Sequence, residues 1–303
     1  MGLSALVISH GSIGKRHAEI LTQLEDISNV SVLSSQNSLP YRTLKSMEEI
    51  PSLNPDYVVI ASPTSDHYSQ LKFLDQYLES KKILVEKPLF NSMLDLTIIN
   101  NQVSVGYNLR FHPLIHKIRE TIEGKTIWSI HAFCGSYLPD WRSGRDYRET
   151  SSARKALGGG VLLDLSHELD YIQWLVGPLK VEHAISKKVS NLKVDSDDLL
   201  MLTASTRDEV QVQIGLNYFT RESIRHVILD GEGVSIRGDL IANTLDITLN
   251  GKISRHSWPK LERNMTYKIQ HQAVLDGDLS NICSFDQGLQ TMRLIERIRI
   301  WPN

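Results

Sequence analysis

The chain has little cysteine, no excess of either charge and no long apolar run, and each shortage closes a class of function. Only Cys134 and Cys283 occur in 303 residues, too far apart for a metal or redox spacing. A disulfide scaffold and a zinc ribbon are thereby excluded, and a reducing compartment is expected. With 33 Lys and Arg against 35 Asp and Glu the formal charge is −2. No basic surplus points to nucleic acid or to an anionic membrane, so a small, weakly charged ligand is expected instead. No apolar run approaches the roughly 20 residues that span a bilayer. The start, Met1-Gly2-Leu3-Ser4-Ala5-Leu6, has no basic n-region, and Leu6 stands where a myristoylation signal has Ser or Thr. An unanchored cytoplasmic protein is the expectation. What remains is 41% hydrophobic and 22% charged sequence without repeats, long enough for two domains.

In the first third, short β-branched runs alternate with helical periodicity. Ala5–Ile8, Val30–Leu33, Tyr57–Ala61, Ile83–Glu86 and Val103–Gly106 are continuous and apolar, as parallel strands covered on both faces are. Ala18, Leu21, Leu24 and Ile27 recur at helical spacing after the first run, and Tyr68, Leu71, Leu74 and Leu78 after the third. This rhythm predicts an α/β fold opening on a doubly wound parallel sheet. Beyond about residue 115 the pattern changes. Ile127–Phe133 reads as a strand, Gly158-Gly159-Gly160 leads into an apolar helix through Val176, and Val210–Ile214 and Leu245–Leu249 alternate with period two. Alternation leaves one face buried and one wet, which predicts a second α/β domain with a large, mostly antiparallel open sheet. A closing helix is expected through Leu289, Met292, Leu294, Ile295 and Ile298, and the domains are placed at 1–115 and 116–303.

Ser9-His10-Gly11-Ser12-Ile13-Gly14 follows a predicted strand and opens a predicted helix, the setting a dinucleotide fingerprint requires. In G-x-G-x-x-G the first glycine makes the turn, the second admits the pyrophosphate and the third allows close helix packing. Ser9 replaces the first, while Gly11 and Gly14 hold the other two places. Backbone N–H groups at the helix start then bind the pyrophosphate, aided by the helix dipole. The carboxylate expected about 20 positions on, for the adenosine ribose, is missing from Leu33-Ser34-Ser35-Gln36. Small hydroxyls such as Ser34 leave room for a 2′-phosphate, and Lys15 or Arg16 can supply charge, so NAD and NADP both stand.

Four further motifs occur in order: Ala61-Ser62-Pro63-Thr64 with His67; Glu86-Lys87-Pro88-Leu89; Gly106-Tyr107-Asn108-Leu109-Arg110-Phe111-His112-Pro113; and Gly158-Gly159-Gly160 continuing to Asp164-Leu165-Ser166-His167-Glu168-Leu169-Asp170. In this order and spacing the chain resembles, over essentially its whole length, the Gfo/Idh/MocA family, the glucose-fructose oxidoreductase and inositol dehydrogenase group. The resemblance implies a Rossmann domain, then an α/β domain that carries the substrate and joins copies, as homodimer or homotetramer, through its open sheet. It implies that Ser62, Pro63, Thr64 and His67 line the cofactor site, that Glu86 sits beside the cofactor ribose, and that Asn108 and Arg110 lie near substrate or the domain junction. It also implies a cis bond before Pro88.

By the same resemblance Lys87 is catalytic. An ammonium at a strand end can hydrogen-bond a reacting hydroxyl and stabilise the developing oxyanion, and the neutral amine can take its proton. On a helix, Asp164 and His167 share a face, so a carboxylate can orient a hydroxyl while an imidazole exchanges its proton near neutral pH. The family more often places the His four residues after the Asp, where Glu168 stands here; either His167 or Glu168 faces the substrate, and the reading favours His167. In Tyr137–Arg148, Trp141 and Arg142 offer a flat face and a guanidinium fork for a sugar or an anionic group. The leading expectation is an NAD- or NADP-dependent oxidoreductase acting on a secondary hydroxyl of a sugar, sugar derivative or cyclitol. An NAD-assisted sugar hydrolase or lyase, and a catalytically silent cofactor-binding subunit, are the alternatives.

Overall fold

Leu3–Ile8 (β1) is an apolar run buried at its end on both faces, and the chain leaves it through a polar turn into Ser12–Leu21 (α1). The computed structural model describes residues 2–142 and 144–302. After α1 come Ile27–Leu33 (β2), Arg42–Leu44 (β3), Ile50–Leu53 (α2), Tyr57–Ile60 (β4), His67–Tyr77 (α3), Lys82–Val85 (β5) and Gln102–Val105 (β6). These strands pair in parallel in the order β3-β2-β1-β4-β5-β6. The order reverses between β1 and β4, and the crevice beyond the strand ends at such a reversal is where ligands of open α/β sheets bind. The helical spacing that reaches Ile27 in sequence overruns: α1 ends at Leu21, where the Thr22 hydroxyl donates to the Ala18 carbonyl at 2.8 Å, and Ile27 opens β2.

The next elements are Pro113–Ile122 (α4), Ile127–Gly135 (β7), Val161–Asp164 (α5), His167–Val176 (α6), Lys180–Lys187 (β8), Leu199–Ser205 (β9), Gln211–Asn217 (β10), Ile224–Gly231 (β11), Val234–Asp239 (β12), Thr244–Leu249 (β13) and Lys252–Ser257 (β14). They build an eight-stranded sheet, β14-β13-β12-β11-β7-β10-β9-β8, antiparallel except where β7 meets β10. Alternation sorts its faces. Ile130, Leu202, Ile214, Val227 and Ile236 are buried, and α4, α5 and α6 pack on the sheet. His131, Phe133, Met201 and Ile228 lie open on the other face.

The chain ends with Met265–Asp276 (α7), Cys283–Ser284 (β15) and Phe285–Arg299 (α8). β15 adds an antiparallel edge to β6, and Val274, Leu275 and Ile282 enter the core around Val7, Leu21 and Tyr57. The compact units are therefore Met1–Phe111 with Arg263–Leu289, and His112–Glu262 with Gln290–Asn303. A single cut near residue 115 differs from this in assigning the returning segment to the second part. Burying three side chains of that size is worth roughly 5–9 kcal/mol, comparable with the whole net stability of a domain, about 5–15 kcal/mol. The first unit depends on its return segment.

Candidate active site

At the end of β1, Ser9 adopts a left-handed backbone, φ 80°, where the fingerprint has glycine. Its N–H still donates to the Leu33 carbonyl at 2.9 Å, so the turn keeps its place on the sheet. A Cβ on Gly14 would fall on the Ser9 carbonyl, so α1 approaches β1 only because residue 14 lacks a side chain. Gly11 is the opposite case. The nearest atom to a Cβ there is Ser9 Oγ at 3.9 Å, so the protein leaves that space unfilled by its own atoms. Gly11 and Ser12 are exposed, α1 has no acidic residue in its first turn and no side-chain cap, and Ile13 is half-buried behind them. Open N–H groups, a dipole of positive sign and space for close approach fit a pyrophosphate. The left-handed conformation costs a residue with a side chain about 1–2 kcal/mol, and glycine returns about half of that as unfolded-chain entropy. Ser9→Gly is expected to stabilise the protein by up to about 1 kcal/mol, read from urea unfolding; a destabilised variant would show that the Ser9 side chain holds the turn.

Beside this loop runs a groove lined by His10, Gly11, Ser12, Lys15, Gln36 and Tyr41. Ser34 supports Gln36, which lines the groove: the Ser34 hydroxyl accepts from Gln36 N at 3.1 Å, and Lys45 Nζ donates to the carbonyls of Ser34 and Gln36 at 3.2 and 2.8 Å. Lys15 lines the groove, whereas Arg16 lies over the Tyr267 ring, 5.3 Å from its centre. Glu19 lines the groove with Lys15 and lies 3.7 Å from its Nζ.

After β4, Ser62 is half-buried and donates to Gln70 Oε1 at 2.6 Å, Pro63 is exposed and Thr64 begins a short 3-10 turn. His67 differs from what the resemblance implies. Its ring is buried, Nδ1 lying 3.1 Å from the Pro88 carbonyl oxygen and Nε2 3.1 Å from that of Ser62, and burial pushes its pKa down. As a neutral imidazole it has one N–H, which donates to one of these carbonyls and seats the ring between the Ser62 and Pro88 turns. The Lys87-Pro88 bond is cis, and the Lys87 side chain is half-buried at the end of β5.

Glu86, behind Lys87, is tied into a buried polar line that local sequence did not reveal. Its Oε2 accepts from Lys87 N at 3.1 Å, and its Oε1 lies 2.9 Å from His17 Nε2. His17 Nδ1 is 2.8 Å from His271 Nε2, and His271 Nδ1 is 2.8 Å from the Tyr57 hydroxyl. Gly106 makes room, since a Cβ there would come within 3.1 Å of Glu86 Oε1. Burial alone would raise the Glu86 pKa, but the hydrogen bond from His17 and the charge of Lys87 carry it below the ordinary value. Burial and His17 push His271 well down, and burial with Glu86 pushes the Tyr57 hydroxyl well up. Glu86 is buried and supports Lys87 through the bond to its N–H.

Asn108 and Arg110 have partners within the first unit. Both are buried in the first unit, where Asn108 Nδ2 donates to Thr266 Oγ1 at 2.8 Å and Arg110 to Gln287 Oε1 at 2.8 Å and the Ile282 carbonyl at 3.3 Å. They fasten the return segment, close in sequence to the Phe111–His112 boundary between the units.

In the second unit the expected single helix is broken. α5 ends at Asp164, the turn tightens through a Ser166 N to Leu163 carbonyl bond of 3.4 Å, and α6 starts at His167. Gly160, φ 122°, precedes it where a Cβ would collide with the Asp197 carboxylate, which accepts from Leu162 N at 2.9 Å. Asp164 and His167 are half-buried. Asp164 Oδ2 accepts from the Tyr218 hydroxyl at 2.6 Å, and Tyr218 meets Trp141 edge-on, ring centres 5.3 Å apart. Burial and Asp164 raise the Tyr218 pKa well above its ordinary value, so that hydroxyl remains a donor. Trp141 Nε1 donates to Ser136 Oγ at 2.7 Å, and Arg142 shares a small cavity with Leu138, Trp141 and Tyr147. Glu168 points elsewhere: fully buried, it takes a two-pronged bond from Arg225, Nε to Oε1 at 2.7 Å and Nη2 to Oε2 at 2.9 Å. Burial lowers the Arg225 pKa but the Glu168 charge more than restores it, so the guanidinium stays charged. Among the described residues no group of His, Cys, Asp and Glu is arranged to hold a metal, and no helix is long and apolar enough to cross a membrane.

A parallel sheet in this order with a glycine turn at its reversal, followed by an open, mostly antiparallel sheet, defines a two-unit Rossmann-type α/β protein. Residues 115–237 match the family model of the GFO/IDH/MocA C-terminal domain. An uncharacterized oxidoreductase of Synechocystis sp. is 25% identical over 212 residues, 63% of this chain and 56% of that protein. The chain spans about half the length of the curated relatives it matches first, 56% and 53%. Two solved structures share the fold over 99% of the chain. The UDP-N-acetylglucosamine 3-dehydrogenase of Acidithiobacillus ferrooxidans has TM-score 0.78 at 17% identity over 97% of its own length. A levoglucosan dehydrogenase in complex with NADH has TM-score 0.83 at 17% identity over 96% of its length.

Proposed function

We propose that the protein is a cytoplasmic NAD- or NADP-dependent oxidoreductase that moves a hydride to or from a secondary hydroxyl carbon of a sugar, a sugar derivative, nucleotide-linked ones included, or a cyclitol. The observation that carries the reading is the space kept at Gly11 before an uncapped helix start, at the reversal point of a parallel sheet. The names of the two structural neighbours support the sugar class. A bound nicotinamide supplies the hydride acceptor or donor. Ser9, Gly11, Ser12, Ile13 and Gly14 present backbone to the pyrophosphate, Ser34 and Lys15 meet the adenosine ribose, and Ser62, Pro63 and Thr64 form the adjoining wall. Lys87 donates to the reacting oxygen as an ammonium or accepts its proton as an amine. Asp164, held by Tyr218, orients a substrate hydroxyl, His167 exchanges a proton near neutral pH, and Trp141 and Arg142 bear on the ring and its substituents. Glu168 has no part in the chemistry, because turning it to the substrate would strand Arg225. The open sheet face around Phe133, Met201 and Ile228 supports pairing of two or four copies.

The test is a fluorescence and thermal-shift titration with NADH and NADPH, followed by a screen of free and nucleotide-linked sugars with the dinucleotide that binds. Binding of one dinucleotide with a further upward shift from a sugar is expected; no response to either dinucleotide would remove the proposal.

A further inference from the structure

We infer that His17 and His271, with Tyr57 behind them, are positioning residues that keep Glu86 ionised and so hold the Lys87 turn. The inference rests on the role proposed for Lys87. Tyr57, His271, His17 and Glu86 are joined by three consecutive hydrogen bonds of 2.8, 2.8 and 2.9 Å, and all four side chains are buried.

Two neutral imidazoles can serve such a line in only two directions. If the Tyr57 hydroxyl donates to His271 Nδ1, then His271 Nε2–H donates to His17 Nδ1, and His17 Nε2–H donates to Glu86. Every group is satisfied, and the last donor meets a carboxylate. In the opposite direction Glu86 must carry a proton, and His271 Nδ1–H points at the Tyr57 oxygen. The Tyr57 proton then needs another acceptor in a site closed to water, and an unsatisfied buried donor is penalised. The fold therefore selects the first direction.

Glu86 has a second reason to stay charged. Its Oε1 faces the His17 donor and its Oε2 the N–H of Lys87, so a proton on either oxygen opposes an N–H or releases the Lys87 peptide. The other groups bearing on it agree. Lys87 follows it in the turn, His67 approaches from α3, Tyr57 lies on β4, and α7 brings His271 and Tyr267, the latter beneath the Arg16 guanidinium. Because Tyr57 ends the line at zero exposure, it has no exit to solvent at that end. The line is a lock on charge rather than a path for protons.

Infrared titration of the ligand-free full chain tests this by following the C=O stretch of a protonated carboxyl, assigned to Glu86 by its loss in Glu86→Gln. His17→Phe is expected to move proton uptake by Glu86 upward by about two pH units, since burial then acts with little opposition. His17→Gln, which keeps an amide N–H toward Oε1, is expected to restore most of the original position. Tyr57→Phe, a smaller change that removes only the directing donor, is expected to give an upward shift of about one unit and decides the matter if His17→Phe does not fold. A Glu86 band that titrates as in the unaltered protein in His17→Phe, or in Tyr57→Phe where that variant decides, overturns the inference. A catalytically silent Lys87 would sink the functional role while leaving these band positions as expected, so the two failures are separable.

Discussion

Lys87→Ala is expected to lower kcat/KM for hydride transfer by about 10²–10⁴, the range for a positioned acid or base, while the thermal transition stays close to that of the unaltered protein. The separation follows from where Lys87 sits. The turn is held from other atoms: the buried His67 ring is seated between the Ser62 and Pro88 turns, and Glu86 accepts from the Lys87 backbone N–H, which alanine keeps. The side chain itself is half-buried, so its truncation removes chemistry more than packing. Lys87→Arg separates the two ways a lysine can act. A guanidinium donates but does not give up its proton in proteins, so retained activity in Lys87→Arg identifies a donor and loss as complete as in Lys87→Ala identifies a base. Steady-state rates with the sugar found by screening, set beside melting curves, provide the check. Unchanged kcat/KM in Lys87→Ala would end the catalytic assignment.

Arg225→Ala is the largest expected loss of stability, about 3–5 kcal/mol, because it leaves the Glu168 carboxylate buried without its partner. At roughly 2–4 °C per kcal/mol for a protein of this order of size, the melting temperature falls by about 10 °C. The double substitution Glu168→Leu with Arg225→Met removes both charges and keeps apolar volume, and such exchanges are neutral or stabilising; it is expected to recover most of the loss. The pair therefore supplies little net stability, but either half alone is costly. Urea unfolding of the single and double variants measures this, and a loss below about 1 kcal/mol in Arg225→Ala would mean that Glu168 finds water or another donor.

What could be read from the chain and what could not divides along one physical line. The five apolar runs of the first third were legible because strands buried on both faces carry their burial in composition, and all five are strands. β3, only Arg42–Leu44, and β15, only Cys283–Ser284, are too short and polar to mark themselves. The helix before Val176 was legible as apolar, yet its break at Leu165-Ser166 depends on how that segment packs. The glycine turn could be read with its serine, because spacing alone carries that motif. The buried line below Lys87 could not, since His17 and His271 stand 254 positions apart and only the folded chain pairs them. The choice between His167 and Glu168 was open for the same reason, Arg225 being 57 residues away. That Asn108 and Arg110 bond to Thr266 and Gln287 was not legible either, because those partners lie 158 and 177 positions away.

That returning segment also orders events during synthesis. Residues up to Phe111 leave the ribosome first, but the three core side chains, the β6 neighbour and the imidazole that complete their unit lie beyond the whole of His112–Glu262. Until then β6 is a bare strand edge beside an uncovered apolar face, the kind of surface that pairs with the wrong chain. Contacts that close so late are slow to form, so the nascent first unit must wait, shielded or at risk of aggregation, until the second has been made.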